Sequence, residues 1–437
     1  MGPNFNPIYE YLSIIRILLI LALINLLRAK SFIIVNRGYN LSSKEHRFCR
    51  QGWPCPFVLL FRHLKLEIGK FFSQNTVFGA LDVMNIILNS YCNLKCNYCF
   101  ADEYMEETVK TPGKSMDFDF FTADVLPRVK TASLINFMGG EPTLHPRFND
   151  ILSSALENMQ AFSFLGIFTN GLMPDKALDL LLKTVGKDGS IQKQIQFSVL
   201  LNWQTTENIS EKNHERCREV AEALLSRNGH GLMFSLNLYS KEQDLETQCW
   251  EINEIYQGLG LPRSQKYKIR VSPAFPIVGG QENITLPIRD YPKVGRMMID
   301  LLKKYPQLCF RFDCSFPPCF LDEIQEDEYP LVERIFYHGN QPVPNLQDWE
   351  TSDLYLGCAD DSPMDIDPQG DCFNCFPFHN LKLGNITDFK KVNDLSIKKM
   401  HTKFLGHAFS AEPKEPCKSC PHYMVRCSSG CFAYNFS

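Results

Sequence analysis

The chain has 437 residues, 44% of them hydrophobic and 22% charged, which is enough apolar material for a large core and a smaller second domain. Its formal charge of -4 carries no basic excess, so nucleic acid is not expected as a partner. Seventeen cysteines, an odd number in so long a chain, do not fit a small disulfide-stapled scaffold; clustered at short spacings, they point to metal thiolates in a reducing, cytoplasmic compartment.

Residues 1–80 read as an irregular N-terminal region of unassigned role. Leu12 to Leu27 is mostly apolar, but Ser13, Arg16 and Asn25 interrupt it. The run falls short of the roughly 20 residues a bilayer span needs. Arg16 near its middle would cost about 2.5–3.5 kcal/mol there. No basic segment precedes it, as one would in a signal peptide. A helix docked on protein is the expectation, and membrane contact is not favoured.

From Asp82 the pattern changes to apolar strands alternating with polar-faced helices. Strands are predicted at Val83–Leu88, Ser133–Met138, Phe164–Phe168, Ile195–Leu200, Leu232–Leu238 and Tyr267–Val271. Helices are predicted at Phe118–Val129, Phe148–Asn158, Asp175–Thr184, Ser210–Ser226, Asp244–Tyr256 and Tyr291–Lys304. Six β–α units over residues 81–304 are two short of a closed barrel, so the expected class is α/β, a partial (β/α)6 TIM-like barrel. Residues 305–357, mixed and Pro-rich, read as a connector, and 358–437 as a small cysteine-rich domain.

The loop after the first strand carries Cys92, Cys96 and Cys99 in the spacing C-x3-C-x2-C. At this composition, chance would produce about 0.03 such triplets in the whole chain. Three thiolates bind three irons of a cubane cluster and leave the fourth open to a small molecule, whereas structural zinc prefers four closed ligands. After the second strand comes Gly139-Gly140-Glu141-Pro142, where two glycines let backbone approach a ligand closely and Glu141 offers an acceptor. Taken alone, that tetrapeptide is also an ordinary glycine turn.

Together these motifs resemble the radical S-adenosylmethionine (SAM) superfamily, whose signature loop is matched by Cys92-Asn-Leu-Lys-Cys96-Asn-Tyr-Cys99-Phe100. The resemblance implies a catalytic 4Fe–4S cluster on the triad, with SAM bound at its open iron and cleaved to a 5′-deoxyadenosyl radical. It implies that Tyr98 lies against the adenine and that the GGEP residues grip the SAM amino group. More weakly, it carries Thr169, Asn170 and Ser198 over to the ribose and carboxylate. Asn170-Gly171 is equally well read as a turn. Asn202 and Arg270 also fall at strand ends, His145 reads as structural, and Cys49, Cys55, Cys217, Cys249 and Cys309 read as ordinary buried thiols.

Cys358, Cys372, Cys375, Cys417, Cys420, Cys427 and Cys431 resemble the SPASM extension of this superfamily, which implies one or two auxiliary 4Fe–4S clusters. The spacing between Cys420 and Cys427 is one residue longer than the family pattern, and the set is one thiol short of two full clusters. On the family pattern, Cys358, Cys375 and Cys431, with Cys372 to complete them, serve one cluster. Cys417, Cys420 and Cys427 serve the other, its fourth site open or filled by Cys314 or Cys319. A zinc-ribbon-like site is the alternative. The expected substrate is a peptide or protein undergoing crosslinking, oxidation or epimerisation, although residues 1–80 show no clear leader-binding winged helix. An electron donor such as flavodoxin or ferredoxin is the implied partner. Dehydrogenation of a small molecule is the alternative, and a non-catalytic metal-binding module the less favoured one.

Overall fold

The structure, a computed structural model, describes residues 83–99, 115–160, 163–184, 195–227, 231–260, 265–279, 283–312, 314, 317–337, 341–342, 363–389, 411–422, 427 and 431–436. The apolar stretch near the N-terminus and Cys49, Cys55 and Cys358 lie outside them. Among the described residues, no helix is long and apolar enough to cross a membrane.

Six strands appear where the apolar runs place them: β1 (Val83–Asn89), β2 (Leu134–Gly139), β3 (Phe164–Thr169), β4 (Gln196–Asn202), β5 (Leu232–Leu238) and β6 (Tyr267–Pro273). Between them run α1 (Phe118–Phe120, a π turn Phe121–Val125, then Leu126–Val129), α2 (Phe148–Asn158), α3 (Asp175–Thr184), α4 (Glu211–Arg227) and α5 (Leu245–Gly258). α6 (Tyr291–Lys304) follows β6. Local chemistry starts these helices. The Asp117 carboxylate caps the backbone N–H groups of Asp119 and Phe120, Asp244 caps Thr247, and Pro292 opens α6 at a position that needs no amide donor.

Each strand from β1 to β6 pairs in parallel with the next, and the sheet stays open. The expected open array of six β–α units is therefore present. It is longer than the sequence indicated: residues 305–357, read as a connector, contribute β7 (Leu308–Phe312), β8 (Ile335–Tyr337) and the short β9 (Gln341–Pro342). At the other edge β10 (Met364–Ile366) lies parallel to β1, and β11 (Asp371–Phe373) and β12 (Gly384–Asn385) continue antiparallel. The described strands thus form one sheet in the order β12-β11-β10-β1-β2-β3-β4-β5-β6-β7-β8-β9.

The two faces of the sheet differ. Met84, Ile86, Ile135, Phe137, Ile167, Val199, Phe234 and Ile269 are fully buried in one core with residues of the helices. Residues one step away point to the opposite face, and many of them are polar: Asn85, Asn136, Ser198, Asn202, Ser235, Asn237, Lys268 and Arg270. A parallel sheet covered by helices on both faces reads as continuous apolar strands. This alternation leaves the second face for something polar.

Candidate active site

The site lies along the C-terminal ends of β1 to β5, where loops leave the sheet. The Cys92–Cys99 loop is held from both sides. The N–H of Cys99 donates to the Cys96 carbonyl at 3.0 Å, and the N–H of Leu94 approaches the Cys92 sulfur at 3.4 Å. All three triad cysteines are half-buried. Burial is the main force pushing the Cys92 thiol up to about 11. A bound metal centre would reverse that balance by favouring the thiolate.

The GGEP turn is fastened to this loop through backbone. The N–H groups of Gly140 and Glu141 donate to the carbonyls of Asn89 and Tyr91 at 2.9 and 2.8 Å. Gly139 has φ +145°, and a Cβ there would lie 2.2 Å from the Asn89 carbonyl oxygen, so glycine is required by the close approach of two chains. These two amides thus hold the exit of β2 to the exit of β1.

Glu141 differs from its expected setting in the same way. Its carboxylate is wholly buried and accepts from Thr143 N (3.2 Å), Thr143 Oγ1 (2.5 Å), Thr169 Oγ1 (2.8 Å) and Asn170 N (2.7 Å). Burial pushes its pKa up, against the pull of these hydrogen bonds. The side chain thereby clamps the β2 turn to the end of β3. Pro142 is buried and starts the short turn Pro142–Leu144. The acceptor left over belongs to Asn89: its Nδ2 donates to the Glu141 carbonyl at 3.1 Å, while its buried Oδ1 has no protein partner. Nothing in the motif spelled out that residue, since asparagine at a strand end has many uses.

Thr169 and Asn170 are likewise turned inward. The Thr169 hydroxyl also accepts from Gly171 N at 3.1 Å, and Asn170 Nδ2 reaches Asn93 Oδ1 at 2.8 Å and the Cys92 sulfur at 3.6 Å. Asn170 therefore belongs to the cysteine loop, where an N–H near sulfur tunes a metal thiolate. Ser198 is not at a strand end at all: β4 runs on to Asn202, leaving Ser198 in mid-strand beside Gly166. Tyr98 is buried and stacks on Tyr239, with centroids 4.7 Å apart and planes 13° from parallel. Its hydroxyl accepts from Gln204. One face of the ring expected to meet adenine is thus occupied by protein. Gln204, Tyr239 and Asn237 come from the ends of β4 and β5, and only the fold brings them to Tyr98.

His145 is structural. Its Nδ1 accepts from Arg147 N at 3.0 Å, which leaves Nε2 protonated to donate to the Met116 carbonyl at 2.8 Å. Cys217, Cys249 and Cys309 are buried thiols, and Cys217 donates to the Asn170 carbonyl at 3.1 Å.

The C-terminal cysteines do not all gather. Cys372 is fully buried on β11, where burial pushes its thiol well up and the charges acting on it are Asp367, Asp371, Asp388 and Lys382. Strand alternation is the reason: Phe373 points to Ile87 and the triad, so Cys372 points away. The expectation that Cys372 completes a cluster therefore lacks support. Cys375 is half-buried at the start of the turn Phe376–Phe378, Cys417 and Cys431 are buried, and Cys420 and Cys427 are half-buried. Among the described residues, no three His, Cys, Asp or Glu side chains converge on a single-ion site.

A family model described as Radical SAM superfamily matches residues 86–227. Among curated proteins, the chain is 38% identical over 98 residues to the tungsten-containing aldehyde ferredoxin oxidoreductase cofactor-modifying protein of Pyrococcus furiosus, covering 21% of this chain and 24% of that one. It is 30% identical over 118 residues to GTP 3′,8-cyclase of Chlorobaculum tepidum, covering 25% and 32%. The matches span 24% and 32% of these relatives' length. The fold is similar to Streptococcus suis SuiB solved with S-adenosylmethionine, with TM-score 0.52, 17% identity, and coverage of 93% of this chain and 85% of that one. SuiB has also been solved with its precursor peptide SuiA (TM-score 0.52, 17% identity, 87% and 78% covered). The chain therefore carries a domain of the radical SAM superfamily over residues 86–227.

Proposed function

We propose that this chain is a radical SAM enzyme that takes a hydrogen atom from a peptide or protein substrate in a maturation reaction. When bound, a 4Fe–4S cluster and SAM supply reductive cleavage of a carbon–sulfur bond to a 5′-deoxyadenosyl radical. Cys92, Cys96 and Cys99 would hold that cluster. The carrying observation is that the triad loop, the GGEP turn and Asn170 are hydrogen-bonded into one unit at the C-terminal edge of an open parallel sheet.

Within that unit the chain's own groups bind and orient. Asn89 Oδ1 is the buried acceptor suited to the ammonium group of SAM. The Glu141 clamp keeps the turn beside it rigid, and Asn170 donates toward the Cys92 sulfur. Phe373 and Phe376 pack against Cys92 and Cys99 and keep water from that side. The C-terminal cysteines would hold one or two auxiliary clusters, and a reductant such as flavodoxin or ferredoxin would deliver the electron.

The peptide reading is supported by likeness of fold to SuiB, a protein solved with a precursor peptide. A small polar substrate is the second reading, favoured by the Asn, Ser, Lys and Arg side chains on the second face of the sheet. Anaerobic reconstitution of the full chain with iron, sulfide and dithionite tests the enzyme class. The wild type is expected to consume SAM and release 5′-deoxyadenosine, and the triple Cys→Ser variant of the triad to release none. Equal turnover by that variant would end the proposal. Co-purification of a short precursor peptide after co-expression with neighbouring reading frames separates the two substrate readings.

A further inference from the structure

Cys319 lies outside both cysteine motifs, yet the fold carries it to the C-terminal one. It sits in a short turn, Pro318–Leu321, between β7 and β8. Two contacts hold that turn on the first part of α6. The ring of Phe320 lies on Tyr291 with centroids 4.5 Å apart. Gly295 meets the Phe320 backbone so closely that an added Cβ would lie 1.7 Å from the Phe320 carbonyl oxygen. Tyr291 is also the anchor of the short helix Ala433–Phe436. Its hydroxyl is 3.2 Å from that of Tyr434, which donates to the Leu286 carbonyl at 2.6 Å. One fully buried ring thus holds the residue after Cys319 and the residue three after Cys431.

The surroundings of the sulfur agree with this docking. Cys427, Asp322, Cys417 and Cys420 act electrostatically on Cys319, Cys427 most strongly. Asp322, three residues beyond Cys319, feels His422, two residues beyond Cys420, so the two loops face each other at a second point. Four free thiols from segments a hundred residues apart in sequence are thus carried to one region of the fold, the donor set of a thiolate-held cluster.

We propose that Cys319 supplies the fourth thiolate of a C-terminal 4Fe–4S cluster whose other ligands are Cys417, Cys420 and Cys427. This rests on the reading of the C-terminal cysteines as cluster ligands. Assembly from ferrous and ferric iron in equal parts with sulfide is redox-neutral, and each of the four thiols gives up its proton on binding.

The test is iron and acid-labile sulfide content of the anaerobically reconstituted full chain, with EPR of the dithionite-reduced protein. Cys319→Ala and Cys417→Ala are each expected to lose about four irons per chain, the content of one cubane. The double variant is expected to lose no more than either single one, and Cys314→Ala to keep the wild-type content. Cys319→Ser, whose oxygen can still ligate, is expected to shift the g-values of the C-terminal cluster and leave the SAM-dependent signal of the triad cluster unchanged. Wild-type iron and an unchanged spectrum in Cys319→Ala, while Cys417→Ala loses iron, would overturn the assignment. So would loss of iron on replacing Cys314 instead, or loss of the triad signal together with the other in both Cys319 variants. If Cys417→Ala loses no iron, the cluster reading itself fails, a result distinct from failure of Cys319 alone.

Discussion

Gly139, Glu141 and Asn170 each do something more local than their motif implies. Gly139 is where the chain leaving β2 touches the chain leaving β1, at a backbone angle that side chains avoid. Gly139→Ala adds strain and a clash with the Asn89 carbonyl. It is expected to lower stability by about 3 kcal/mol or more, read from the urea midpoint, and to reduce iron retention by the triad. Wild-type stability in that variant would show that the two strand exits can separate freely. Glu141 illustrates how a motif residue can be found by pattern while its partners are not: its acidity was legible, but its four donors come from residues 143, 169 and 170.

At the scale of elements, the join between β1 and β10 is the informative one. Asp365 on β10 is fully buried, accepts from Asn85 Nδ2 at 2.7 Å, and is pushed up to about 7 by burial. Asn136 in turn donates to Asn85 at 2.9 Å, so a polar row crosses three strands. A carboxyl near 3.9 when unfolded and about 7 when folded binds its proton more tightly in the native state. Its contribution is full below pH 4 and is lost as the pH rises through 7, by up to about 3–4 kcal/mol. Asp365→Asn cannot ionise. Relative to wild type it is expected to gain stability between pH 5 and pH 8, measured as the change in the difference of their urea midpoints. A pH-independent difference would show that Asp365 is ionised throughout.

Across the whole molecule, the C-terminal strands complete the wall of the site as well as widening the sheet. Phe373, Phe376 and Ile87 form a small apolar cluster separate from the main core, and Cys92, Cys99 and Met138 pack on it. A residue some 280 positions downstream therefore shields the triad. Phe376→Ala removes a nearly fully buried ring and is expected to cost about 3–5 kcal/mol. With the apolar cover opened, the triad cluster should lose its visible absorbance faster in air while its anaerobic iron content stays unchanged. Equal bleaching rates would mean that this wall does not limit access.

The amino-acid order alone determined the six β–α units, the cysteine loop after β1 and the glycine turn after β2, because apolar period and short spacing are local properties. The boundaries of α2, α3 and α6 were legible to the residue. The end of β4 was not: Leu201 and Asn202 continue a strand predicted to finish at Leu200. β7 and β8 were hidden in a Pro-rich span because short strands of three to five residues carry little period. Only the tertiary structure decided that Asn89 keeps a buried acceptor, that Tyr239 covers Tyr98, that Asn170 turns to Cys92 and that Cys319 meets the C-terminal thiols. Those choices depend on which strand ends become neighbours, and contacts between residues tens to hundreds of positions apart leave no periodic trace in either partner.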